Sequence, residues 1–224
     1  MNKATSVDGD RAIDPVVEMY KHGIDRAAIR QNLLRSPEER LLALENTVSL
    51  IQRLHSPGAR PATTRFRALL TVLGENHVAF VLVGGVAGAL HGASRITYDL
   101  DIVYDRSLEN LQRVVAALAP LKPYLRDGGP GLPFRFDEET LKRGLNFKFA
   151  TTMGAIDLMG ELAGTGSFPA VVPHAIETNL FGARCSFLAL EALIDARRVA
   201  GRAKDLETIA ELEIIREEQT PVSS

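Results

Sequence analysis

Residues 77–83 read HVAFVLV, and every position from Val78 to Val83 is apolar. A strand with one wet face alternates apolar and polar residues. An unbroken run suits only a strand covered on both faces. The fold must therefore bury a sheet from two sides. Gly84-Gly85 ends the run, and the following VAGALHG reads as a short helix. A glycine pair at a strand-to-helix turn lets backbone N–H groups approach an anion, and a helix N-terminus favours negative charge. The same pair also serves any tight turn. Its surroundings lack the spacing of a dinucleotide site and the Gly-Lys-Ser/Thr ending of a P-loop.

The other elements follow from periodicity and punctuation. Residues 1–14 read as disordered. IDRAAIRQNLL is a short amphipathic helix. SPEERLLALENTVSLIQRL is a longer one, with Ser36 as N-cap, Pro37 in the first turn and Glu39 completing a capping box. Leu41, Leu44, Val48 and Ile51 make its apolar stripe. HSPGARPAT is a linker, which puts a boundary near residue 60. Beyond it the pattern predicts a helix over 62–75, the strand over 77–83, a strand over 99–104 and a helix in LENLQRVVAALAP. A glycine- and proline-rich loop, PYLRDGGPGLPFRF, comes next; such loops are functional or mobile. Two strands over 145–151 and 154–159, a strand in RCSFLAL and two helices separated at Gly201 complete the reading. The organisation is a helical extension over 1–60, a domain over 61–216 and a tail over 217–224. Strands and helices mix without strict alternation, which predicts an α+β fold with a mixed sheet of about five strands flanked by helices.

Composition removes several classes. Hydrophobic content of 46% and charged content of 24% suit a packed core. A net charge of −2 argues against coating nucleic acid by bulk charge. The single cysteine, Cys185, excludes an internal disulfide and a cysteine-rich zinc site. No apolar run reaches about 18 residues, so no membrane span is expected. The start of the chain lacks an apolar signal core, and the default compartment is the cytoplasm.

The chemistry concentrates in RITYDLDIVYD, residues 95–105. Residues two apart on a strand face the same way, so Asp99 and Asp101 project together while Leu100, Ile102 and Tyr104 project oppositely. Carboxylates that close repel unless a proton or a cation lies between them. A third acid, Asp157, sits in the apolar strand AIDLMG. A buried charge needs a partner, and a strand neighbouring 99–104 would bring Asp157 beside Asp99 and Asp101. Three carboxylates with a phosphate-cradling turn are what two-metal phosphoryl or nucleotidyl transfer requires. Plain readings stand beside this one: solvated edge-strand acids, or Asp157 paired to an arginine or lysine.

The stretch GGVAGALHGASRITYDLDIVY resembles the minimal nucleotidyltransferases of the DNA polymerase β-like superfamily, especially their antitoxin-like and AbiEii-toxin-like branches. The resemblance covers roughly residues 65–215 and implies a nucleotidyltransferase fold. It implies that Gly84 and Gly85 bind phosphate and that Asp99 and Asp101 hold two Mg²⁺ ions. Asp157 would hold one of them and act as base toward an acceptor hydroxyl. GRAKDLETIAELE is similar to the closing segment of these proteins, which puts Lys204 on the nucleotide phosphates and Asp205 behind Lys204 or an arginine. The implied reaction moves an NMP from an NTP to an RNA end such as tRNA, a protein or a small molecule. One departure is Gly85, where many members have a serine whose hydroxyl touches phosphate.

Further residues carry two readings each. Arg95 contacts a phosphate or pairs with a nearby acid. His91 is a ligand, a cap or a packing residue. Lys148, sharing a face with Asn146, lines the cleft or is solvated. Arg197, Arg198 and Arg202 track a triphosphate or RNA, or complement a helix dipole. The stripe in residues 15–56 packs on the domain, pairs two copies or binds another protein. That last option belongs to an alternative function: a toxin–antitoxin or regulatory binding component that keeps the fold with weak or lost catalysis.

Overall fold

In the computed structural model, which describes residues 14–55, 64–128, 134–203 and 205–220, the apolar run forms the strand β1, Phe80–Leu82, with all three residues buried. Three N-terminal helices precede it: α1, Pro15–Lys21; α2, Arg26–Leu33; α3, Pro37–His55. Then come α4, Phe66–Glu75; α5, Gly84–His91; β2, Asp99–Tyr104; α6, Leu108–Leu118; β3, Tyr124–Leu125; α7, Glu138–Arg143; β4, Asn146–Thr151; and β5, Gly154–Met159. The chain ends through β6, Glu161–Leu162; β7, Gly166–Ser167; α8, Phe168–Val171; β8, Ala175–Leu180; β9, Ala183–Leu188; α9, Leu190–Ala200; and α10, Asp205–Gln219.

The fold is α+β with a mixed sheet ordered β3-β4-β5-β2-β1-β9-β8. β2 runs antiparallel to β1 and parallel to β5, and β1 runs parallel to β9. Among the described residues this sheet has seven strands rather than five, and β6 and β7 form a separate pair. The two unforeseen strands of the main sheet are its edges. β3 is two residues long, too short to show a period, and β8 (AIETNL) leaves half of its residues exposed. Short or polar edges are how sheets avoid pairing with other chains. β1 is shorter than the run that announced it, because Val83 already leads into the turn at α5.

One apolar core unites the chain. Val17, Ile29, Leu41, Leu44 and Val48 of the N-terminal helices join Leu82, Ile102, Ile156 and Ile214 in it. Three of the four residues of the stripe on α3, Leu41, Leu44 and Val48, are therefore taken up by the protein's own core, while Ile51 is only partly covered and Leu50 and Leu54 are exposed on that helix. The capping box forms as read: Ser36 Oγ accepts from the Glu39 N–H at 3.2 Å, and Glu39 Oε2 accepts from the Ser36 N–H at 2.7 Å. Arg40 ties α2 to α5 by donating to the Asn32, Leu33 and Leu90 carbonyls. Thr64 clamps the entrances of β2 and β5: its hydroxyl donates to the Tyr98 carbonyl and accepts from the Ala155 N–H.

The expected boundary near residue 60 falls in 56–63, outside the described residues, as does the expected disorder over 1–14 apart from Asp14, which caps α1. The tail expected from 217 overlaps the end of the last helix. α10 continues to Gln219, because Glu217 and Glu218 pair with Arg26 and Arg30 on α2. No described helix is long and apolar enough to cross a membrane.

Lys21 is 9% exposed and meets Glu18 at 2.5 Å, Glu213 at 2.8 Å and Glu217 at 2.9 Å. Burial alone would lower its pKa, but the three glutamates outweigh that and raise it. Removing one partner of a buried ion pair strands the other charge. Lys21→Ala should cost about 3 kcal/mol, read as a shift in the denaturant midpoint. A change within experimental error would mean that the docking of α1 on α10 is carried by Val17 instead.

Candidate metal centre

The three aspartates converge because two neighbouring strands carry them in matching register. β2 and β5 are parallel, with Asp101 opposite Asp157 and Asp99 opposite Ala155. On the other face Leu100, Ile102, Ile156 and Leu158 are fully buried, so neither strand can slip by one residue without burying its acids. One carboxylate oxygen from each of Asp99, Asp101 and Asp157 lies within 4.8 Å of the others. Three oxygen donors so placed could hold a metal ion.

The glycine turn rests on this cluster. Gly84 opens α5 with φ +63°, and a Cβ there would lie 1.9 Å from Asp101 Oδ2. Only glycine meets both the conformation and the approach. The Gly85 N–H favours the ionised form of the Asp101 carboxylate. A Cβ on Gly85 would lie 2.5 Å from Thr97 Cβ and 2.7 Å from Thr97 Oγ1. The space a serine side chain would fill is thus occupied by Thr97, whose hydroxyl donates to Asp99 Oδ1 at 2.9 Å.

Arg126, just past β3, supplies the cation. Its guanidinium pairs with Asp157 and lies 3.6 Å from Asp99 Oδ2, while its backbone N–H donates to the Lys148 carbonyl at 2.9 Å. Lys148 stands opposite Asp157 in the β4–β5 ladder and pairs with Asp127 at 3.1 Å. Burial, then Asp99 and Asp157, push Asp101 up to about 7, against the pull of Arg197 and the Gly85 N–H. Burial also raises Asp157, with Arg126 as the main opposing influence.

The acids sit where two lobes of a cleft meet. One, of about 420 Å³, runs past Gly84, Gly85, Arg95 and Thr97 to Thr208 and Glu211 on α10. The other, of about 450 Å³, is walled by Phe147, Met159, Leu162 and Leu193. Gly84, Asp101, Lys148, Asp157, Arg197 and Arg202 border both.

Of the residues singled out from sequence, Gly84, Gly85, Arg95, Asp99, Asp101 and Asp157 all line the first lobe. Arg95 also pairs with Glu207 at 2.6 Å. Lys204 lies outside the described residues. Asp205 anchors arginines, as one of its two readings had it: Arg197 at 3.0 Å and Arg202 at 2.8 Å. Burial opposes its ionisation, but the two arginines prevail and lower its pKa. His91 is a packing residue, buried against Phe187 and bonded to the Leu188 carbonyl. Cys185 is buried, its thiol pushed up to about 11 by desolvation. Sequence reasoning missed Thr97 and Arg126. The glycine- and proline-rich loop pointed to the region of Arg126 without selecting it.

Two outcomes follow from this geometry. Gly85→Ser should destabilise the fold, and adding Thr97→Gly should restore part of the loss, since Thr97 Cβ is the atom that the new side chain meets first. Equal melting of Gly85→Ser and wild type would refute that packing. Asp101 gives a pH dependence. Below its ordinary 3.8 both folded and unfolded chains hold the proton; between 3.8 and about 7 only the fold does. Stability contributed through Asp101 therefore falls as pH rises through that window and is flat above it. Metal-free Asp101→Asn should gain on wild type between pH 4 and 7 in parallel urea titrations. A constant difference across that range would show that burial, with Asp99 and Asp157, does not raise Asp101 in this way.

No family model matches the chain, and neither does any curated protein, so any case for an activity rests on these residues themselves.

Proposed function

We propose that the protein is a metal-dependent nucleotidyltransferase that moves an NMP from an NTP to an acceptor hydroxyl and releases pyrophosphate. The observation that carries this reading is the convergence of Asp99, Asp101 and Asp157 within 4.8 Å, directly against the glycine turn that opens α5. Acids alone would suit many cations. Acids beside a helix N-terminus, with Arg126, Lys148, Arg197 and Arg202 around them, suit a metal-bound polyphosphate.

In this reading Asp99 and Asp101 hold both Mg²⁺ ions and Asp157 holds one. Bound Mg²⁺ would polarise the α-phosphate and neutralise charge on the departing pyrophosphate. The triphosphate lies in the lobe of Gly84 and Gly85, and the acceptor enters from the lobe of Phe147 and Met159. The acceptor oxygen forms a bond to the α-phosphorus as the bond to the bridging oxygen breaks. Asp157 takes the acceptor's proton. Thr97 holds Asp99 in orientation, as a supporting hydroxyl does for a metal ligand. Its position also accounts for glycine at 85, where many members of the resembled superfamily carry serine.

One observation favours a second reading. Arg126 already bridges Asp99 and Asp157. If that pair is permanent, the fold serves as a regulatory or toxin–antitoxin binding component, with the arginine standing where a metal would. A labelling assay with α-³²P NTPs, Mg²⁺, total RNA and lysate separates the two. Asp101→Ala should reduce transfer by about 100-fold or more while the protein still melts cooperatively. Undiminished transfer would defeat the transferase reading. No transfer by wild type, with no stabilisation by Mg²⁺ and NTP, would favour the binding component.

A further inference from the structure

Glu211 is 1% exposed on α10, yet it lines the cleft. Its Oε1 accepts two hydrogen bonds from Ser94, from the N–H at 2.7 Å and from the hydroxyl at 2.6 Å. Its Oε2 is buried and has no hydrogen-bond partner among the described residues. The cation nearest in sequence to Ser94, Arg95, is engaged by Glu207. Buried polar atoms are nearly always satisfied, and a bare carboxylate oxygen in a cleft wall marks the place of a donor from elsewhere.

The location narrows what that donor belongs to. Glu211 is six residues beyond Asp205, which places it about 9 Å further along α10 than the residue that anchors Arg197 and Arg202. Its neighbour Leu212 lies 3.8 Å from where a Cβ on Gly88 would stand, one turn into α5 from the glycine pair. Ala93, Ile96 and Leu212 give this part of the lobe apolar walls, and Thr208 adds a hydroxyl-bearing side chain. A carboxylate repels phosphate, so an anionic chain would lie toward Gly84 and the arginines and leave a neutral, flat, donor-bearing group here.

We propose that Glu211 Oε2 receives an N–H or O–H of the nucleoside end of the NTP and thereby fixes which way the nucleotide lies and which nucleosides are accepted. This rests on the nucleotidyltransferase reading. The donor is either an N–H of the base or a ribose hydroxyl.

The test is binding, measured by calorimetry on the full chain with Mg²⁺, the four NTPs, their 2′- and 3′-deoxy forms, and inorganic tripolyphosphate. Glu211→Gln keeps an amide oxygen for Ser94 and turns the free acceptor into a donor. It should weaken the preferred NTP at least ten-fold and leave tripolyphosphate unchanged. A preference among bases lost in the variant assigns the donor to the base; a lost preference for ribose over a deoxy form assigns it to that hydroxyl. Glu211→Asp, which retracts the carboxylate by one methylene, takes its place if the amide variant does not fold. Equal NTP affinity in wild type and variant overturns the proposal and leaves the transferase reading intact. Failure of wild type to bind both NTP and tripolyphosphate overturns the two together.

Discussion

The parallel pairing of β2 with β5 holds Asp101 directly beside Asp157, with Asp99 two residues away on the same face. Much of the surrounding structure answers to that repulsion. It is opposed from behind by Leu100, Ile102, Ile156 and Leu158, whose burial would be lost if the register moved. It is opposed from the front by the Gly85 N–H, the Thr97 hydroxyl and the Arg126 guanidinium. The Thr64 side chain, 1% exposed, locks the two strands together where they enter the sheet. A cluster that is costly by itself is thus kept by packing on one face and polar contacts on the other.

The N-terminal helices belong to the same economy of charge. α10 lends Thr208, Glu211 and Leu212 to the cleft, and its remaining length carries Glu213, Glu217 and Glu218. Lys21, Arg26 and Arg30 neutralise that length, while Arg198 from α9 shares Glu213. The extension therefore fixes the helix that forms one wall of the cleft. Its role is legible without an external partner, although the exposed faces of α1 and α3 still display Met19, Leu50 and Leu54.

The interior of this architecture could be read from the sequence because it obeys periodicity. The apolar run gave β1, the period-two acids gave the face of β2, and the capping box gave the start of α3. Asp157 could be placed beside Asp99 and Asp101 because a lone acid in the apolar stretch AIDLMG needs a reason. The edges were not legible: β3 has too few residues to show a pattern, and β8 is a polar margin. Nor were Thr97, Arg126 and Glu211. Threonine, arginine and glutamate are ordinary in a turn, a loop and a helix. Their significance comes only from what the tertiary fold sets opposite them: a glycine without a Cβ, a pair of aspartates, and a cleft wall where no described donor reaches Glu211 Oε2.

The charges around the three acids have their own logic. Three carboxylates in a half-buried cleft are tolerated through two devices: the guanidinium of Arg126 between Asp99 and Asp157, and a proton retained by Asp101 up to about pH 7. Each supplies a single positive charge. A divalent ion supplies twice that and accepts oxygen ligands from all three acids at once, so it competes with both devices together. The argument also runs backwards. If Asp99, Asp101 and Asp157 were only structural, asparagine or serine would fit the same face at less electrostatic cost, and neither the arginine nor the proton would be needed. That the fold keeps three acids, and then arranges removable charges around them, is the physical reason to regard them as a site for cations.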